Sequence, residues 1–384
     1  MRILFDATAL ALTGYHKGGA YRYGVELLRH LPGPLAEFDS ETELKLYFNF
    51  FRRHHLPRME ETVALAGHPP YVFSRIHPKL LRAMRAPVEW TGGNHDVFHG
   101  PFDRIPPSRR SARVVTIHDL AFLRSPEGLP ADWVAELNAT VPVSARRAHR
   151  VITVSEFSRM DIVNRLGIDP ERVEAIYHGI PEGLKPPADP EADLKRLKER
   201  YDIDPGYLLY LGTLQPNKNI EGLCSAFQRL RKDGFSGQLV LAGSKGWLYQ
   251  EMWQRIVARG EDLGVLQTGF VDEEDIPRLY GNCAAFCLVS FLEGFGIPVI
   301  EAMACGAPVV AADACSLPEV GGEAAILVQP RDPEAIADGI LKAATPGPER
   351  DALVQAGLAR AATFTWESSA KAHLKAYKRA MESR

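Results

Sequence analysis

The sequence is poor in cysteine, and its cysteines are not spaced in the pairs that typically bind zinc. In 384 residues it has five, namely Cys224, Cys283, Cys287, Cys305 and Cys315. None of them forms a Cys-x-x-Cys pair, and most have apolar neighbours in the sequence. Such cysteines are typical of buried thiols in a reducing compartment. The sequence therefore favours free thiols over disulfides or a zinc site.

Long apolar runs are also missing. The chain starts Met1-Arg-Ile-Leu-Phe-Asp6, where an acid interrupts a short apolar stretch. No later run approaches the about 18 apolar residues that suggest a membrane-spanning helix. We therefore predict neither a secretion signal nor a membrane span, and we expect a cytoplasmic protein.

The sequence has no large excess of charge of either sign. The formal net charge is −3, with 24% charged and 46% hydrophobic residues, which is the composition of a soluble globular protein. These values give no reason to expect a nucleic-acid partner. A chain of 384 residues is too long for one ordinary hydrophobic core, so two domains are predicted.

The most informative stretch of the sequence is Ser290–Gly306. It follows an apolar run, residues 284–289, that is typical of a buried strand. Gly294 and Gly296 allow backbone amides to approach a ligand closely, and Pro298 suits the first position of a helix. The free N–H groups and the dipole of a helix that starts there favour a bound phosphate. The stretch therefore predicts an anion site.

Two carboxylates flank this predicted anion site. Glu293 precedes the helix, and Glu301 lies about one turn inside it. A nucleoside diphosphate sugar has hydroxyl groups on either side of a diphosphate and would fit between such acceptors. Two glutamates at this spacing also arise by chance in a chain with 48 acidic residues. The order of strand, glycine loop and helix around them is what favours a binding site.

In this order, and with Gly306-Ala-Pro-Val-Val310 after it, the stretch closely resembles the Glu-x7-Glu signature of family 4 glycosyltransferases. The resemblance implies a retaining enzyme of α/β class with the GT-B fold. In that fold two Rossmann-like, doubly wound parallel-sheet domains face a cleft, and the C-terminal helix crosses back to the first domain. We expect an acceptor-binding domain at residues 1–184, a nucleotide-sugar-binding domain at 196–363 and the returning helix at 364–384.

The loop after the first predicted strand is a second candidate site. The strand, from Arg2 to Phe5, is followed by a polar loop with Gly18 and Gly19 and then by a helix. This order is compatible with a turn that holds phosphate and equally with a flexible loop. The resemblance implies that Gly18 and Gly19 lie close to the donor phosphates.

His118 is a further candidate because it follows an apolar strand. Open parallel sheets place ligand groups at the ends of such strands, and the run from Val114 to Ile117 ends at His118-Asp119. A single histidine at a strand end is often structural. The dipeptide resembles the His-Asp of the family, which implies that His118 contacts the transferred sugar and belongs to the catalytic residues.

The second half of the chain supplies the other predicted donor contacts. A polar turn after the apolar run 207–211 begins with Gly212 and Thr213 and contains Lys218, which the resemblance implies to bind the diphosphate. Together with the two glutamates, the remaining donor-binding candidates are the residues of the glycine loop and the start of its helix: Gly294, Phe295, Gly296 and Ile297.

Asp272 is the candidate for recognition of the base. It follows Gly269-Phe-Val at the end of a predicted strand. A carboxylate can accept hydrogen bonds from both adjacent N–H donors of guanine, whereas uracil offers a single N–H. The same acid could instead cap the helix predicted to begin near Asp275.

Two segments, residues 50–58 and 74–86, are basic and contain apolar residues. A basic amphipathic helix over 74–86 is compatible with contact to an anionic membrane surface. An ordinary solvated helix has the same pattern, so both interpretations are open.

The leading hypothesis is a metal-independent retaining hexosyltransferase that moves mannose from GDP-mannose to an acceptor hydroxyl. The catalytic residues are predicted to be His118, Lys218 and Glu293, and no cofactor is expected because amides, a helix dipole and the lysine stabilise the leaving diphosphate. The resemblance to bacterial mannosyltransferases implies a lipid-linked or oligosaccharide acceptor in surface-polysaccharide synthesis, such as that of lipopolysaccharide.

Three alternatives remain open from the sequence. The donor could be a UDP-sugar in the same reaction. A nucleotide-sugar epimerase of the same fold would use a carboxylate pair and need no acceptor. A carbohydrate-binding protein without catalysis would not need the predicted catalytic residues, so their presence favours an enzyme.

Overall fold

The computed structural model describes residues 1–12, 18–38 and 41–384, which form two compact units. Unit 1 comprises Met1–Leu120, Val134–Gly179 and Thr365–Arg384. Unit 2 comprises Ala121–Trp133 and Ile180–Phe364. The domain limits derived from the sequence stay predictions.

The described part of unit 1 contains a seven-stranded sheet in the order β3-β2-β1-β4-β5-β6-β7. All of its strand pairings are parallel. Its strands are β1 (Arg2–Asp6), β2 (Glu43–Asn49), β3 (Tyr71–Ser74), β4 (Val97–Gly100), β5 (Ala112–Thr116), β6 (Arg150–Thr153) and β7 (Val173–Ala175).

Unit 2 contains a six-stranded sheet in the order β10-β9-β8-β11-β12-β13, again with parallel pairings. Its strands are β8 (Leu208–Leu211), β9 (Leu239–Ala242), β10 (Val265–Gly269), β11 (Ala285–Leu288), β12 (Val309–Ala312) and β13 (Ile326–Val328). Every residue of β9, β11 and β12 is buried. Helices cover both faces of such a sheet, and this is why the strands have the continuous apolar runs that the sequence shows.

Helices connect the strands and cover the sheets. In the described residues they are α1 (Thr8–Ala11), α2 (Gly19–His30), α3 (Pro32–Phe38), α4 (Leu56–Leu65), α5 (Pro78–Ala83), α6 (Glu89–Gly92), α7 (Ala121–Arg124), α8 (Ala131–Arg147), α9 (Glu156–Leu166), α10 (Pro190–Tyr201), α11 (Ile220–Lys232), α12 (Tyr249–Ala258), α13 (Ile276–Gly281), α14 (Ile297–Ala304), α15 (Leu317–Gly321), α16 (Pro333–Ala344), α17 (Pro348–Ala361) and α18 (Trp366–Glu382).

Each sheet has a point at which the strand order reverses. In unit 1 it lies between β1 and β4, and in unit 2 between β8 and β11. Loops on the two sides of such a point lead away in opposite directions and leave a crevice beyond the carboxyl ends of the strands, where ligands bind in open α/β sheets. The two doubly wound sheets confirm the predicted fold class, and the reversal points indicate where functional side chains belong.

The last helix, α18, belongs to unit 1, as the predicted fold requires. Thr365 caps it by accepting a hydrogen bond from Ser368 N at 3.2 Å, as its sequence suggests. One face of the helix enters the core of unit 1 through Trp366, Ala370, Leu374 and Tyr377. Gly179 packs directly against the start of the helix. A Cβ atom on Gly179 would lie only 2.1 Å from the backbone N of Trp366.

The basic segment 74–86 differs from the amphipathic helix predicted for it. Only α5, Pro78–Ala83, is helical. Arg85 lies beyond the helix in the left-handed region, with φ of 47°. Pro87 follows Ala86, and a residue before proline avoids the helical conformation. The predicted helix was therefore too long, although residues 75–80 and 83–85 of the segment are exposed.

The sequence predicts neither a membrane-spanning helix nor disulfide bonds. Among the described residues, no helix is both long and apolar enough to cross a membrane. The five cysteines are free thiols, four of them buried, which confirms the expectation of free thiols. Burial raises the pKa of Cys287 to about 12, so this thiol stays protonated at neutral pH.

Candidate functional site

The reversal point of unit 2 brings Lys218 and Glu293 together. Lys218 lies in the loop after β8, and Glu293 lies between β11 and α14. The Lys218 Nζ atom is 2.8 Å from each carboxylate oxygen of Glu293. Ser290 donates its hydroxyl proton to Oε1 of Glu293 at 2.7 Å. The side chains of Lys218 and Glu293 are only 19% and 11% exposed, so solvent screens their attraction weakly.

The glycine loop and the helix after it have the predicted order. Helix α14 begins at Ile297, so Pro298 is its second residue and lacks only an N–H that would have no partner inside the helix. Gly296 has φ of 99°, and a Cβ atom there would lie 2.6 Å from Cδ2 of Leu317. Glycine is therefore required at this position, where the chain turns into the helix.

Glu301 lies one turn inside α14 and is buried. The residue is only 1% exposed, and its Oε2 accepts a hydrogen bond from the hydroxyl of Tyr280 at 3.0 Å. We expect Glu301 to accept hydrogen bonds from the ribose hydroxyls of the donor, and this contact stays a prediction. The structure adds that Tyr280 orients the carboxylate.

A cavity of about 450 Å³ lies at the carboxyl ends of β8, β9 and β10. Its lining consists of Leu214, Gly243, Ser244, Lys245, Gln267, Thr268 and Gly269. Gly212 is next to it, because a Cβ atom on Gly243 would lie 2.1 Å from the Gly212 carbonyl oxygen. Thr213 is adjacent as well, because it directly precedes Leu214 of the lining in the chain. The cavity is large enough for a nucleobase or a sugar.

Three acidic side chains near the end of β10 are close enough together to hold a cation. Oxygen atoms of Asp272, Glu274 and Asp275 lie within 4.8 Å of one another. Arg196 forms ion pairs with Glu274 and Asp275, and Arg200 forms one with Asp272. Arginines thus balance the negative charge of the cluster, and we assign it a structural role. Asp272 occupies the N-cap position of a short 3-10 helix, but its carboxylate makes no capping hydrogen bond there.

His118 lies at the carboxyl end of the sheet in unit 1, two residues after β5. Its Nε2 is 3.0 Å from the carbonyl oxygen of Pro101, and a carbonyl only accepts, so Nε2 bears a hydrogen. Its backbone N donates to Oδ1 of Asp103 at 3.3 Å, and its carbonyl accepts from Ser158 Oγ at 3.3 Å. These contacts fix the ring and leave Nδ1 as the atom that could accept a hydrogen bond from a ligand.

Gly18 and Gly19 also belong to unit 1, at the start of α2. Gly19 is the first residue of the helix and Gly18 its N-cap. Among the residues that the structure describes, no atom would lie within 4 Å of a Cβ atom on Gly18. Their contact with donor phosphates stays a prediction.

Two stretches of the sequence match known protein families. Residues 193–360 match the family described as Glycosyl transferases group 1, and residues 18–183 match Glycosyltransferase Family 4. Along its whole length the chain is similar to the O-antigen chain mannosyltransferase B of Escherichia coli. The identity is 32% over 390 residues, which cover 98% of this chain and 100% of the relative. The chain belongs to the family 4 glycosyltransferases.

This family 4 glycosyltransferase is also similar to the serotype-specific mannosyltransferase WbdA of Escherichia coli, at 28% identity over 242 residues. These cover 62% of this chain and 29% of WbdA. Among solved structures, Anabaena HepE in complex with UDP has a TM-score of 0.72 at 21% identity, covering 98% of this chain and 99% of that one. A sucrose-phosphate synthase from Thermosynechococcus elongatus has a TM-score of 0.73 at 19% identity, covering 100% of both chains. These likenesses confirm the GT-B fold.

In this family 4 glycosyltransferase, Asn219 connects the loops of the site in unit 2, and we did not identify it from the sequence. Asn219 has φ of 56° and caps α11, where its Oδ1 accepts from Gly222 N at 3.2 Å. Its Nδ2 donates to the carbonyl of Val289 at 3.0 Å and to that of Pro330 at 2.6 Å. It thereby joins the loop after β8 to the end of β11 and places its neighbour Lys218 beside Glu293. Its sequence signal was an asparagine directly before a helix.

Ser316 holds the glycine loop from the other side. Its Oγ donates to the carbonyl oxygens of Glu293 and Phe295, at 2.9 and 3.0 Å. The residue is fully buried just before α15. Glu293 is therefore fixed through both its carboxylate and its backbone. No pattern in the sequence pointed to Ser316.

Proposed function

We propose that this family 4 glycosyltransferase transfers mannose from GDP-mannose to a glycan acceptor, with retention of the anomeric configuration and without a catalytic metal. The proposed setting is the synthesis of a surface polysaccharide. The observation that supports this most is the similarity of the whole chain to an O-antigen mannosyltransferase, at 32% identity. The paired Lys218 and Glu293 at the reversal point of unit 2 provide the chemistry.

In the proposed reaction, Lys218 stabilises the charge that develops on the leaving diphosphate. An ammonium group has three N–H donors, and the two carboxylate oxygens of Glu293 occupy at most two. The third is available for a phosphate oxygen, which the first N–H groups of α14 would also bind. Donors fixed in advance and shielded from water stabilise such charge strongly. Glu293 in turn holds the lysine in place and accepts from a sugar hydroxyl.

The proposed site of the base is the cavity at the ends of β8, β9 and β10. Asp272 is near this edge of the sheet, but its carboxylate is paired with Arg200. For Asp272 to bind guanine, this exposed pair must open. Exposed ion pairs contribute about 0 to 1 kcal/mol, so opening it costs little. A UDP-sugar donor is the alternative, which needs no carboxylate at this position.

Competition binding with GDP and UDP tests the donor. We expect the wild type to bind GDP more tightly than UDP, and Asp272→Asn to lose that preference. Tighter binding of UDP by the wild type would refute the guanine assignment. An unchanged GDP affinity in Asp272→Asn would remove Asp272 from the base site and leave the donor assignment intact.

The reaction itself is tested by product analysis. The purified protein is incubated with GDP-mannose and a mannose-containing oligosaccharide, and the anomeric configuration of the new linkage is read by NMR. We expect an axial linkage, the same as in the donor, and unchanged turnover after chelation with EDTA. An inverted product would contradict retention, and loss of turnover restored by Mg²⁺ or Mn²⁺ would contradict metal independence.

We further propose that unit 1 contacts an anionic membrane surface through its two basic segments. Arg75 joins them, because its guanidinium carbon lies 5.6 Å from the ring centre of Phe51 and its Nη2 donates to the Phe51 carbonyl at 3.4 Å. The joined surface exposes large apolar side chains, namely Phe51, Ile76, Leu80 and Met84. Basic groups beside exposed apolar groups match anionic headgroups above acyl chains.

Co-sedimentation with vesicles tests this surface. We expect binding to vesicles that contain phosphatidylglycerol, weaker binding in high salt, and a loss of binding in Leu80→Ser. Leu263→Ser is the matched control, because Leu263 is 65% exposed but lies in unit 2, compared with 52% for Leu80. Equal binding by both variants would contradict the proposed membrane contact.

A further inference from the structure

A chain of hydrogen bonds runs through the core of unit 1 and connects α18 to the sheet. Tyr377 of α18 bonds His99 Nδ1 at 2.8 Å, and His99 Nε2 bonds Thr116 Oγ1 at 2.8 Å. Thr116 Oγ1 bonds the hydroxyl of Tyr23 at 2.8 Å, and that hydroxyl bonds Nε2 of His373 at 2.8 Å. All five residues are fully buried. The chain thus starts on α18, passes through β4, β5 and α2, and returns to α18.

The return to α18 fixes the direction of every hydrogen bond in this chain. His373 Nδ1 is 2.7 Å from the carbonyl oxygen of Ser369, which only accepts, so Nδ1 bears the hydrogen. In a neutral imidazole Nε2 then has only a lone pair and accepts from Tyr23. The Tyr23 oxygen is left to accept from Thr116. Each donation therefore determines the next one.

The order of donors and acceptors continues to the other end of the hydrogen-bonded chain, at Tyr377. Thr116 donates to Tyr23, so its oxygen accepts from Nε2–H of His99. His99 then has a lone pair at Nδ1, which accepts from the hydroxyl of Tyr377. Both histidines must be neutral for this order to hold. Burial lowers the pKa of His373 to about 4 and that of His99 well below its usual value, so both are neutral at pH 7.

Tyr23 is the member of this chain that lies against His118. The two ring centres are 5.0 Å apart with an interplanar angle of 82°, so the rings pack edge to face. His178 stacks near the same histidine, at 6.4 Å and 23°. The ring of Tyr377 instead packs near His99 and His373, at 5.4 and 6.3 Å. The hydroxyl groups of Tyr23 and Tyr377 thus each bond a histidine of this chain. Of these ring contacts, the one with His118 belongs to Tyr23.

We propose that Tyr23 is a positioning residue for His118, and that α18 fixes the orientation of Tyr23 through its hydrogen bond to His373. This inference rests on the proposed function, and within it on the predicted contact of His118 with the transferred sugar. Two hydrogen bonds hold the Tyr23 hydroxyl, one to the sheet and one to α18, and they restrict the position of its ring against His118. A small displacement of a group that contacts the reacting sugar lowers turnover strongly.

The comparison of Tyr23→Phe with Tyr377→Phe tests this proposal. Both variants lose one buried hydroxyl of the same hydrogen-bonded chain and keep an aromatic ring. We expect Tyr23→Phe to lower kcat about tenfold with an unchanged KM for the donor, and Tyr377→Phe to leave kcat unchanged although it is less stable. Equal effects of the two variants on kcat, or none from Tyr23→Phe, would overturn the proposal.

Thr116 offers a second test if Tyr23→Phe does not fold. Thr116→Ser keeps the hydroxyl that donates to Tyr23, whereas Thr116→Val keeps the shape and loses it. We expect kcat to fall in Thr116→Val and to stay at the wild-type value in Thr116→Ser. The same kcat in both variants would overturn the proposal.

A spectroscopic measurement checks the proton order without any activity. In ¹⁵N NMR of the histidine rings at pH 7, His373 should be the Nδ1–H tautomer and His99 the Nε2–H tautomer. Identical tautomers would overturn the order derived above. The kinetic comparison uses whichever donor the wild type turns over, so a failure of the proposed donor appears in the wild type and a failure of this inference appears in the variants.

Discussion

Tyr280 donates its hydroxyl proton to Oε2 of Glu301 at 3.0 Å, at a position where Glu301 is only 1% exposed. This contact orients the carboxylate that we propose as the acceptor for the ribose hydroxyls. Glu301→Gln should weaken nucleotide binding by about 1 to 3 kcal/mol, because a buried hydrogen bond to a charged group is lost. Isothermal titration with GDP and UDP measures the effect.

Tyr280→Phe is the control for that measurement. It keeps the carboxylate and removes only the hydroxyl that orients it, so we expect a smaller loss of affinity than in Glu301→Gln. If Glu301→Gln binds both nucleotides as well as the wild type does, the ribose assignment is wrong.

Lys218→Ala should lower turnover by about 100-fold, because it removes a preorganised donor from the leaving diphosphate. It also removes the ion-pair partner of Glu293, which is only 11% exposed, beside the proposed phosphate site. Steady-state kinetics with the donor measure kcat and KM. Lys195→Ala is the matched control, since Lys195 lies on α10 in the same unit with its side chain 77% exposed. Similar kinetics in both variants would contradict the role of Lys218.

His118→Ala should lower turnover about tenfold or more while nucleotide affinity stays close to that of the wild type. The reason is that His118 belongs to unit 1, whereas Lys218, α14 and the proposed base cavity belong to unit 2. Turnover and GDP affinity are measured on the same preparation. An unchanged kcat would make His118 a structural residue, fixed by Pro101 and Asp103.

The stability of the protein should decrease as the pH falls from about 6.5 to about 4. Burial lowers the pKa of His373 to about 4, so the unfolded chain takes up this proton at a higher pH than the folded one. Above pH 6.5 the neutral His373 does not reduce the free energy of unfolding. As the pH falls to about 4, the free energy of unfolding decreases by up to about 3 kcal/mol. Burial lowers the pKa of His99 and His178 in the same direction.

Urea denaturation between pH 8 and pH 5 measures this dependence. His373→Gln cannot titrate, so its free energy of unfolding should change less steeply with pH than that of the wild type. The same slope in both proteins would show that His373 does not contribute.

Gly179→Ala should destabilise unit 1 by about 1 to 3 kcal/mol, because the new methyl group would overlap the backbone at the start of α18. The added Cβ would lie 2.1 Å from the backbone N of Trp366. Gly33→Ala is the matched control in the same unit, since Gly33 lies in α3 and a Cβ there meets no atom of the described part of the chain within 4 Å. We expect the control to gain about 0.4 to 1 kcal/mol. Thermal unfolding of both variants decides, and equal midpoints would contradict the close approach.

The sequence was sufficient for the fold and for the organisation of the Glu293 loop. Fully buried strands such as β11 and β12 appear as short apolar runs, and the order of strand, glycine loop and helix is local in sequence. The side chains of Ser155 and Thr365 cap α9 and α18, and such caps are also local in sequence. Features that depend on a few neighbouring residues could therefore be predicted.

Contacts between distant parts of the sequence could not be predicted in this way. Asn219 bonds carbonyl groups 70 and 111 residues further along the chain. The hydrogen bond from Tyr23 to His373 spans 350 residues. The sequence suggested that the Asp272 carboxylate could bind a base. Its ion-pair partner, Arg200, lies on α10, 72 residues before Asp272 in the sequence. Periodicity and spacing contain no information about such pairs.

The division of the chain between the two units has a consequence for biosynthesis. The chain passes from one unit to the other four times, after residues 120, 133, 179 and 364. All residues of unit 2 have been translated once Phe364 is added, whereas the core of unit 1 still lacks Trp366, Leu374 and Tyr377. Domains usually fold during synthesis from the N-terminus onward. Here unit 1 begins first on the ribosome but completes its core last, so until α18 emerges its apolar surface is exposed to chaperones.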